Sequence, residues 1–311
     1  MQNYFVRRIL SIIPLIAVLT FLIFMFLHLI PGDPARFMVD LEVTSDDINI
    51  LRDALGLNDP LPVQFINYVK DLFHGDLGDS YKSGLPVAEM IGRRLGVTLM
   101  LSGAAIGWAV LFGILIGVLS AINRGKIADY ICMVVATSGI SIPGFWFGLV
   151  LINVFAVKLR LVPSGGISGP ASFILPSLAL GIGIMGTLAR YSRSSMLETM
   201  QEDYVRTARA KGQREWVVII RHVLRNSLVQ VVTVVGLQIG GLLSGAVIAE
   251  TVFSIPGMGR LLVDSINFRD YKVVQALLLF FAIEYITINL LVDLLYGVLN
   301  PKIKYSKKND G

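Results

Sequence analysis

The sequence has little charge and almost no cysteine. Only 16% of its 311 residues are Asp, Glu, Lys or Arg, whereas soluble domains carry about a quarter. The one cysteine, Cys132, lies in an apolar run, so no disulfide can form within the chain. The three histidines, His28, His74 and His222, lie far apart in the sequence. We therefore expect no metal site.

The sequence also lacks the usual motifs of nucleotide binding and covalent hydrolysis. Gly125-Lys126 is the one pair that suggests a phosphate-binding loop, but Ser120 replaces the first glycine and Ile127 the Ser/Thr. No Gly-x-Ser-x-Gly motif occurs. We therefore expect neither catalytic residues nor a cofactor in this chain, and any ATP must bind elsewhere.

Long apolar runs are abundant. The composition is 54% hydrophobic and the mean hydropathy is +0.70. A bilayer core of roughly 30 Å needs about 20 helical residues, and six runs are long enough: 9–30, 97–122, 131–157, 173–192, 228–251 and 274–298. The first is too long for a signal peptide and has no small-x-small cleavage site. The sequence predicts an all-α membrane protein with six transmembrane helices.

The distribution of Lys and Arg predicts the orientation. With both termini inside, the inner segments (1–8, 123–130, 190–227 and 299–311) hold 16 Lys/Arg in 67 residues. The outer segments (31–94, 158–172 and 252–273) hold 11 in 101. The net charge of +5 is therefore a membrane signal rather than a nucleic-acid signal. We expect both termini to be cytoplasmic.

The long outer loop, 31–94, is predicted to form a helical cap. Ser45 can cap a first helix that ends at Gly56. Two more helices are predicted, over Val63–Phe73 (opened by Pro62 and ended by Gly75) and over Pro86–Leu95. The predicted divisions of the chain are 1–30, the cap 31–94, a five-helix core 95–298 that includes the loop 193–227, and a tail 299–311.

Several residues within or beside the spans are candidates for a transport pathway. Ser141 and Pro143 interrupt the third run, which predicts either a simple kink or a broken helix. Glu284 lies mid-span with no cation within one turn, and it ranks above Asp293, which lies nearer the inner end. GxxxG pairs (Gly103/Gly107, Gly113/Gly117, Gly236/Gly240 and Gly241/Gly245) predict close helix packing, which we expect to lie within this chain.

The most basic stretch is 203–226, which holds six Lys/Arg between two apolar runs. Gly212 separates two helical patterns, as a C-cap glycine does. We predict helices over Asp203–Lys211 and Glu215–Leu224. Tyr204, Ala208 and Lys211 are expected to share one exposed face. From the residues alone, this stretch fits either a protein contact or anionic lipid headgroups.

This stretch resembles the cytoplasmic loop of ABC importer permeases, with Ala208-x3-Gly212 followed by Arg221-His222-x-Leu224-Arg225-Asn226. Arg206 and Thr207 stand where the wider superfamily has Glu and Ala. The peptide/nickel branch is most similar. Glutathione-type permeases are nearest, through the motifs Gly32-Asp33-Pro34-Ala35-Arg36, Ser138-Gly139-Ile140-Ser141 and Ala189-Arg190-Tyr191-x-Arg193. Further motifs typical of the branch are Gly75-Asp76-Leu77-Gly78-Asp79-Ser80, Pro256-Gly257-x-Gly259-Arg260 and Arg269-Asp270-Tyr271.

The resemblance implies a type I ABC importer permease that works by alternating access. Implied partners are a second, similar permease, two cytoplasmic ATPase subunits that bind ATP and Mg²⁺, and an external solute-binding protein. The implied ATPase-coupling residues are Tyr204, Arg206, Thr207, Ala208, Lys211 and Gly212. Pro256 and Gly257 are expected at an outer gate or a binding-protein contact.

Several functions fit the sequence. The first is import of small peptides such as di- and tripeptides or glutathione, and the second is import of nickel or a metal chelate. Two functions of other classes are an ion-driven secondary transporter, with Glu284 as proton carrier, and a structural or sensory protein without flux. The sequence shows no internal inverted repeats, which would favour the secondary transporter.

Overall fold

The computed structural model describes residues 2–29, 34–37 and 45–299, and these are mostly helical, without a strand longer than an isolated bridge. The α-helices are α1 (Gln2–Leu29), α2 (Pro34–Phe37), α3 (Ser45–Ala54), α4 (Leu61–Phe73), α5 (Val87–Ile122), α6 (Ile127–Ser141), α7 (Gly144–Leu151), α8 (Ile174–Thr199), α9 (Asp203–Ala210), α10 (Glu215–Val217), α11 (Arg225–Val252), α12 (Met258–Asn267) and α13 (Tyr271–Leu299). Two π-helical turns, Ile152–Lys158 and Val218–Leu224, and a 3-10 turn, Pro170–Phe173, extend α7, α10 and α8.

The helices confirm the predicted fold class. Five are long and apolar enough to cross a bilayer, over Ser11–Leu29, Val87–Ile122, Pro170–Thr199, Glu215–Val252 and Tyr271–Val292. A sixth span is formed if the bent pair Ile127–Ser141 and Gly144–Lys158 crosses once. Only helices satisfy every backbone polar group within a single segment in lipid. The protein is an all-α, multi-pass membrane protein.

The third span is broken rather than kinked. α6 ends at Ser141 and α7 begins at Gly144, and the two parts are bent by 103°. Ile142 and Pro143 between them are extended, with ψ of 124° and 127°. Pro143 has no N–H to donate and disfavours helical backbone at Ile142, so the helix stops there.

The predicted third helix of the outer loop is not a separate element. Residues 87–95 form the first turns of α5, which continues for 36 residues to Ile122. Gly92 and Gly96 weaken this segment, but no proline interrupts it, so the hydrogen-bonded ladder propagates through both glycines. The first two predicted helices are confirmed as α3 and α4, and Gly56 and Gly75 follow them with φ of +67° and +74°.

The chain forms two compact units. One comprises Met1–Leu99 and Ser254–Ile286, and the other Met100–Phe253 and Thr287–Gly311. The domain limits predicted from sequence stay predictions. The turn at Pro31-Gly32-Asp33, the side-chain cap at Ser45 and the tail at 300–311 lie outside the described residues.

The core of the first unit joins helices that are distant in sequence. Thr98 Oγ1 of α5 accepts a hydrogen bond from the Met258 N–H at the start of α12, at 2.9 Å. Buried apolar side chains surround this contact, contributed by α1 (Leu27), α5 (Val87 and Ile91), α12 (Met258 and Leu261) and α13 (Val273, Val274 and Leu277). Residues of the early segment 1–99 and of the late segment 254–286 thus share one apolar core.

The second unit is built around α8. Its neighbours α5 and α6 approach its backbone closely at glycines. A Cβ added to Gly117 of α5 would lie 2.6 Å from the carbonyl oxygen of Ala189. A Cβ added to Gly139 of α6 would lie 2.9 Å from the carbonyl oxygen of Ile182. A Cβ on Gly186, within α8 itself, would lie 2.2 Å from the Ala136 oxygen. Real side chains do not tolerate such distances, so glycine is required at these crossings.

The GxxxG pairs do not all pack within this chain. Gly113, Gly117, Gly236 and Gly245 meet neighbouring helices, as predicted. A Cβ on Gly103, Gly107 or Gly241 would meet no atom of the described residues within 4 Å. The expectation of internal packing is therefore wrong for these three among the described residues, because the rotation of α5 and α11 turns them away from the neighbouring described helices.

We predict that Gly117→Ala destabilises the fold, because its methyl group would lie 2.5 Å from Ser192 Cβ. Overpacking of this kind costs about 1–3 kcal/mol. The matched control, Gly107→Ala on the same helix, has free space and should be neutral or slightly stabilising. Thermal unfolding of the two detergent-solubilised variants tests this, and equal melting temperatures would contradict the packing of α5 on α8.

Candidate functional site

The basic stretch folds into a short helix, α9, followed by a turn. Gly212 is left-handed, with φ of +73°. Its N–H donates to the Arg209 oxygen at 2.9 Å, and the Gln213 N–H reaches the Ala208 oxygen at 3.4 Å. This pair of bonds is a Schellman motif, in which glycine is favoured because its φ is positive. The predicted break at Gly212 is confirmed.

The buried face of α9 differs from the prediction. Val205 is fully buried and Ala208 is 5% exposed. Both pack into an apolar cluster of the second unit, with Ala121, Met196, Val218 and Val223. Ala208 was expected on the outer face with Tyr204 and Lys211, and that expectation is wrong. Helical spacing defines which residues share a face, but the orientation of α9 is set by the packing of Val205 beside Ala208.

The exposed face of α9 carries Tyr204, Arg206 and Thr207, and the exposed Lys211 follows directly after the helix. Burial of part of its ring raises the pKa of Tyr204, although 42% of the residue is exposed. Thr207 is exposed, and its Oγ1 donates to the Asp203 oxygen at 2.9 Å. Together with Lys211, this face combines an aromatic ring, two cations and small groups, and it suits contact with another protein surface.

An ion pair spans the turn after α9. Arg209 Nη2 and Nε donate to the two carboxylate oxygens of Glu215, at 2.6 and 3.2 Å. The hydrogen bonds that Arg209 donates to Glu215 raise the pKa of Arg209. Nearby, His222 Nε2 lies 2.9 Å from Gln213 Oε1. These contacts hold the turn against the following helix, so Arg209 has a structural partner within this chain.

A second ion pair was missed by sequence reasoning. Arg193 of α8 donates from Nε and Nη2 to both oxygens of Asp129 on α6, at 2.8 and 2.9 Å. Asp129 is 4% exposed and also accepts from Ser120 Oγ and, at 3.0 Å, from the Gly125 N–H. The ends of α5, α6 and α8 are therefore fastened by one carboxylate. Arg193 belonged to a recognised motif, but nothing in the sequence paired it with Asp129.

The break in the third span borders a cavity of about 340 Å³ in the second unit. Its lining is mostly apolar and includes Pro143, Phe145, Leu180, Ile248 and Phe253. Of the two candidates at the break, Pro143 lines this cavity, whereas Ser141 is an exposed residue at the end of α6.

The remaining pathway candidates lie in the first unit. Gly257 is buried and caps α12, where its oxygen accepts from the Leu261 N–H at 3.1 Å, and Pro256 beside it is exposed. Glu284 is half-buried, and its Oε2 has no hydrogen-bond partner among the described residues. The side chain of Asp293 lies outside the described residues. Over 2–29, 34–37 and 45–299, no group of three His, Cys, Asp or Glu side chains is arranged to hold a metal ion.

Two segments of the chain match known protein-family models. Residues 113–305 match the model of the binding-protein-dependent transport system inner membrane component, and residues 1–102 match the model of the N-terminal part of such a membrane component. The helices and these matches define a permease, a transport subunit rather than an enzyme. The chain belongs to the family of inner membrane components of binding-protein-dependent transport systems.

Similar proteins align with almost the full length of this chain. The chain is 47% identical to the glutathione transport system permease protein GsiC of Pectobacterium atrosepticum and 45% identical to that of Escherichia coli K12. Each comparison covers 98% of this chain and 100% of the relative. The prediction of an ABC importer permease nearest to the glutathione type is confirmed.

Solved structures share the fold. An amino acid ABC transporter has a TM-score of 0.56 at 16% identity, covering 68% of this chain and 94% of the solved chain. The inward-facing MetNI methionine ABC transporter has a TM-score of 0.58 at 18% identity, covering 68% and 97%. The type I permease fold is thus confirmed, and the protein is a multi-pass inner-membrane subunit that works with an ATPase and a substrate-binding protein.

We predict that Asp129→Asn lowers stability by about 3 kcal/mol, because the guanidinium of Arg193 would lose its charged partner. The control is Glu89→Gln, which removes an exposed pair with Arg93 on α5 and should cost less than about 1 kcal/mol. Thermal unfolding in detergent measures both changes. Equal losses would show that the buried pair does not fasten the helix ends.

Proposed function

We propose that the chain is a permease subunit of an importer for small peptides of the glutathione type. The observation that carries this proposal is identity of 45–47% over the whole length of several glutathione permeases. The matched region covers 98% of this chain and therefore includes both its apolar helices and its loops, which supports a cargo of the same chemical class.

The proposed assembly contains a second homologous permease, two cytoplasmic ATPase subunits that bind ATP and Mg²⁺, and an external solute-binding protein. Both termini and α9 lie on the cytoplasmic side, an arrangement supported by the higher Lys/Arg density of those segments. Gly103, Gly107 and Gly241, where an added Cβ would meet no atom of the described residues within 4 Å, support close approach by a second permease.

In this assembly α9 is the coupling helix. Eight residues are too few for a stable isolated helix, and Val205 and Ala208 anchor it to the body of the second unit. The opposite face, with Tyr204, Arg206 and Thr207, is then free to contact the ATPase, together with the adjoining Lys211. Closure of the ATPases moves this face and drives alternating access through the helices to which α9 is anchored.

The cargo is tested by uptake into vesicles that contain the complete importer. We expect ATP-dependent uptake of labelled glutathione that unlabelled glutathione competes away and that nickel ions leave unchanged. Binding of glutathione by the solute-binding protein alone serves as an independent control. Uptake of nickel in place of glutathione would contradict the proposal and favour the metal branch of the family.

Coupling is tested by one substitution on each face of α9. We predict that Thr207→Trp, on the exposed face, leaves folding intact but abolishes ATPase co-purification or uncouples hydrolysis from uptake. Ala208→Trp should instead lower the yield of folded protein, because Ala208 is buried. Lys126→Trp, an exposed site whose side chain caps no helix, is the control and should transport normally. Full uptake by Thr207→Trp would assign this face to lipid headgroups.

A further inference from the structure

The first unit contains a polar cavity of about 150 Å³ that no assigned role explains. It lies between the end of α1, the turn 55–59, α4 and the start of α13. Its charged and polar lining includes Asp59, Asp71, Lys272, Tyr68 and Gln275. Its aromatic lining is Phe24, Tyr68, Tyr81 and Tyr271.

One wall of the cavity is fixed by Gln64. Its side-chain nitrogen donates to the Leu57 and Asp59 carbonyl oxygens at 3.1 and 2.8 Å, which fastens the turn 55–59 to α4. The Gln64 oxygen lies 3.1 Å from Nε2 of His28, whose Nδ1 lies 2.8 Å from the Phe24 oxygen. Each ring nitrogen of His28 therefore lies beside a protein oxygen, and the ring forms part of this wall.

The opposite wall is fixed by Asp270, a residue only 3% exposed. Its carboxylate accepts from Ser80 Oγ at 2.5 Å and from the Tyr81 N–H at 3.1 Å. These bonds join the turn that carries Tyr81 to the start of α13, which carries Tyr271 and Lys272. Both walls are thus held by hydrogen bonds that do not depend on a ligand, as in a preorganised binding site.

Tyr68 is the polar group in this cavity that lacks a partner. It is 8% exposed, and its buried hydroxyl makes no hydrogen bond to any of the described residues. The ring is held by Phe24, with centroids 6.1 Å apart and planes 23° apart. Burial raises the pKa of Tyr68 to about 12, so the hydroxyl stays protonated and able to donate. A buried hydroxyl without a protein partner is costly, so a polar group that enters the cavity, water or a ligand, satisfies it.

The charges indicate which ligand fits. Asp59 and Asp71 provide carboxylates, and aromatic faces beside carboxylates favour an ammonium group. Lys272 provides a cation, and its Nζ lies 3.9 Å from Asp71 Oδ2, beyond hydrogen-bonding distance. A ligand with an ammonium and a carboxylate close together can engage both signs of charge at once. The volume is well below the roughly 300 Å³ of typical small-molecule pockets, so only part of a tripeptide fits.

We propose that this cavity binds the free α-amino-acid head group of the cargo, an ammonium and a carboxylate on one carbon, with Tyr68, Asp71 and Lys272 as its contacts. Glutathione has such a group at its γ-glutamyl end, whereas an ordinary α-linked dipeptide has its ammonium and terminal carboxylate on different residues. The cavity thus selects γ-glutamyl peptides over α-linked ones. The assignment of this group to the cargo rests on the proposed function.

The test uses the complete permease–ATPase complex in lipid nanodiscs without the binding protein. Saturation-transfer NMR and calorimetry measure the binding of γ-glutamylglycine and of its isomer α-glutamylglycine. We expect the γ isomer to bind at least tenfold more tightly and its N-acetyl derivative to bind no better than the α isomer. Equal binding of the two isomers, or binding of neither, overturns the proposal.

The location is tested with Tyr68→Phe, which removes the hydroxyl and keeps the ring that stacks on Phe24. We expect about fivefold weaker binding of γ-glutamylglycine, the effect of one hydrogen bond, and a larger loss for Lys272→Met. Tyr191→Phe, at a half-exposed tyrosine of α8 in the second unit, is the control and should bind as the unchanged chain does. Unchanged binding by both Tyr68→Phe and Lys272→Met overturns the assignment.

Failure of this site differs from failure of the proposed function. If the importer takes up glutathione but its permease binds no γ-glutamyl head group, the site is overturned and the function stands. If isomer selectivity is lost in Tyr68→Phe while the importer carries another cargo, the site stands as an amino-acid site and the function is overturned. Melting temperatures of all variants show whether a loss of binding reflects unfolding.

Discussion

Direct contact between helix backbones at α8 is the constraint on which the second unit depends. Lipid chains are as apolar as leucine, so burial of apolar surface gives little drive for helices to associate within a bilayer, and close packing must supply it. Gly117, Gly139 and Gly186 allow α5 and α6 to approach α8 at distances that any Cβ would prevent. These close contacts fix the rotation of α8 about its axis and its position along that axis relative to α5 and α6.

That fixed position extends to the basic end of the unit. Arg193 and Met196 lie on successive turns of α8; the first binds Asp129 of α6, and the second enters the apolar cluster that holds α9. The position of α9 is therefore defined by the same helix that crosses α5 and α6. Because α6 also leads to the break before Pro143 and its adjoining cavity, packed and ion-paired side chains connect α9 to that cavity. In the proposed importer, this connection is the route by which movement of α9 would reach the apolar helices.

In the first unit, buried hydrogen bonds hold together segments that are distant in sequence. Asp270 joins the motif Gly75-Asp76-Leu77-Gly78-Asp79-Ser80 to the motif Arg269-Asp270-Tyr271, and its partner Ser80 lies 190 residues earlier in the chain. A carboxylate this deeply buried is tolerated because a hydroxyl and backbone N–H groups surround it. Nζ of Lys82, in the same turn, lies over the Phe268 ring, 2.9 Å from its centroid. The polar cavity beside this junction is thus formed by a rigid frame.

The sequence by itself determined the features that depend on neighbouring residues. Apolar length defined the spans, Pro143 interrupted the third of them, and Gly212 ended α9, because each effect acts within one contiguous stretch of the chain. Only the tertiary structure decided which face of α9 buries Ala208, which glycines meet a neighbour, and that Asp129 pairs with Arg193. These depend on the rotation of whole helices about their axes, which is set by contacts between residues far apart in sequence. The spacing of residues defines which of them share a helix face, and packing between helices decides whether that face contacts a neighbouring helix or solvent.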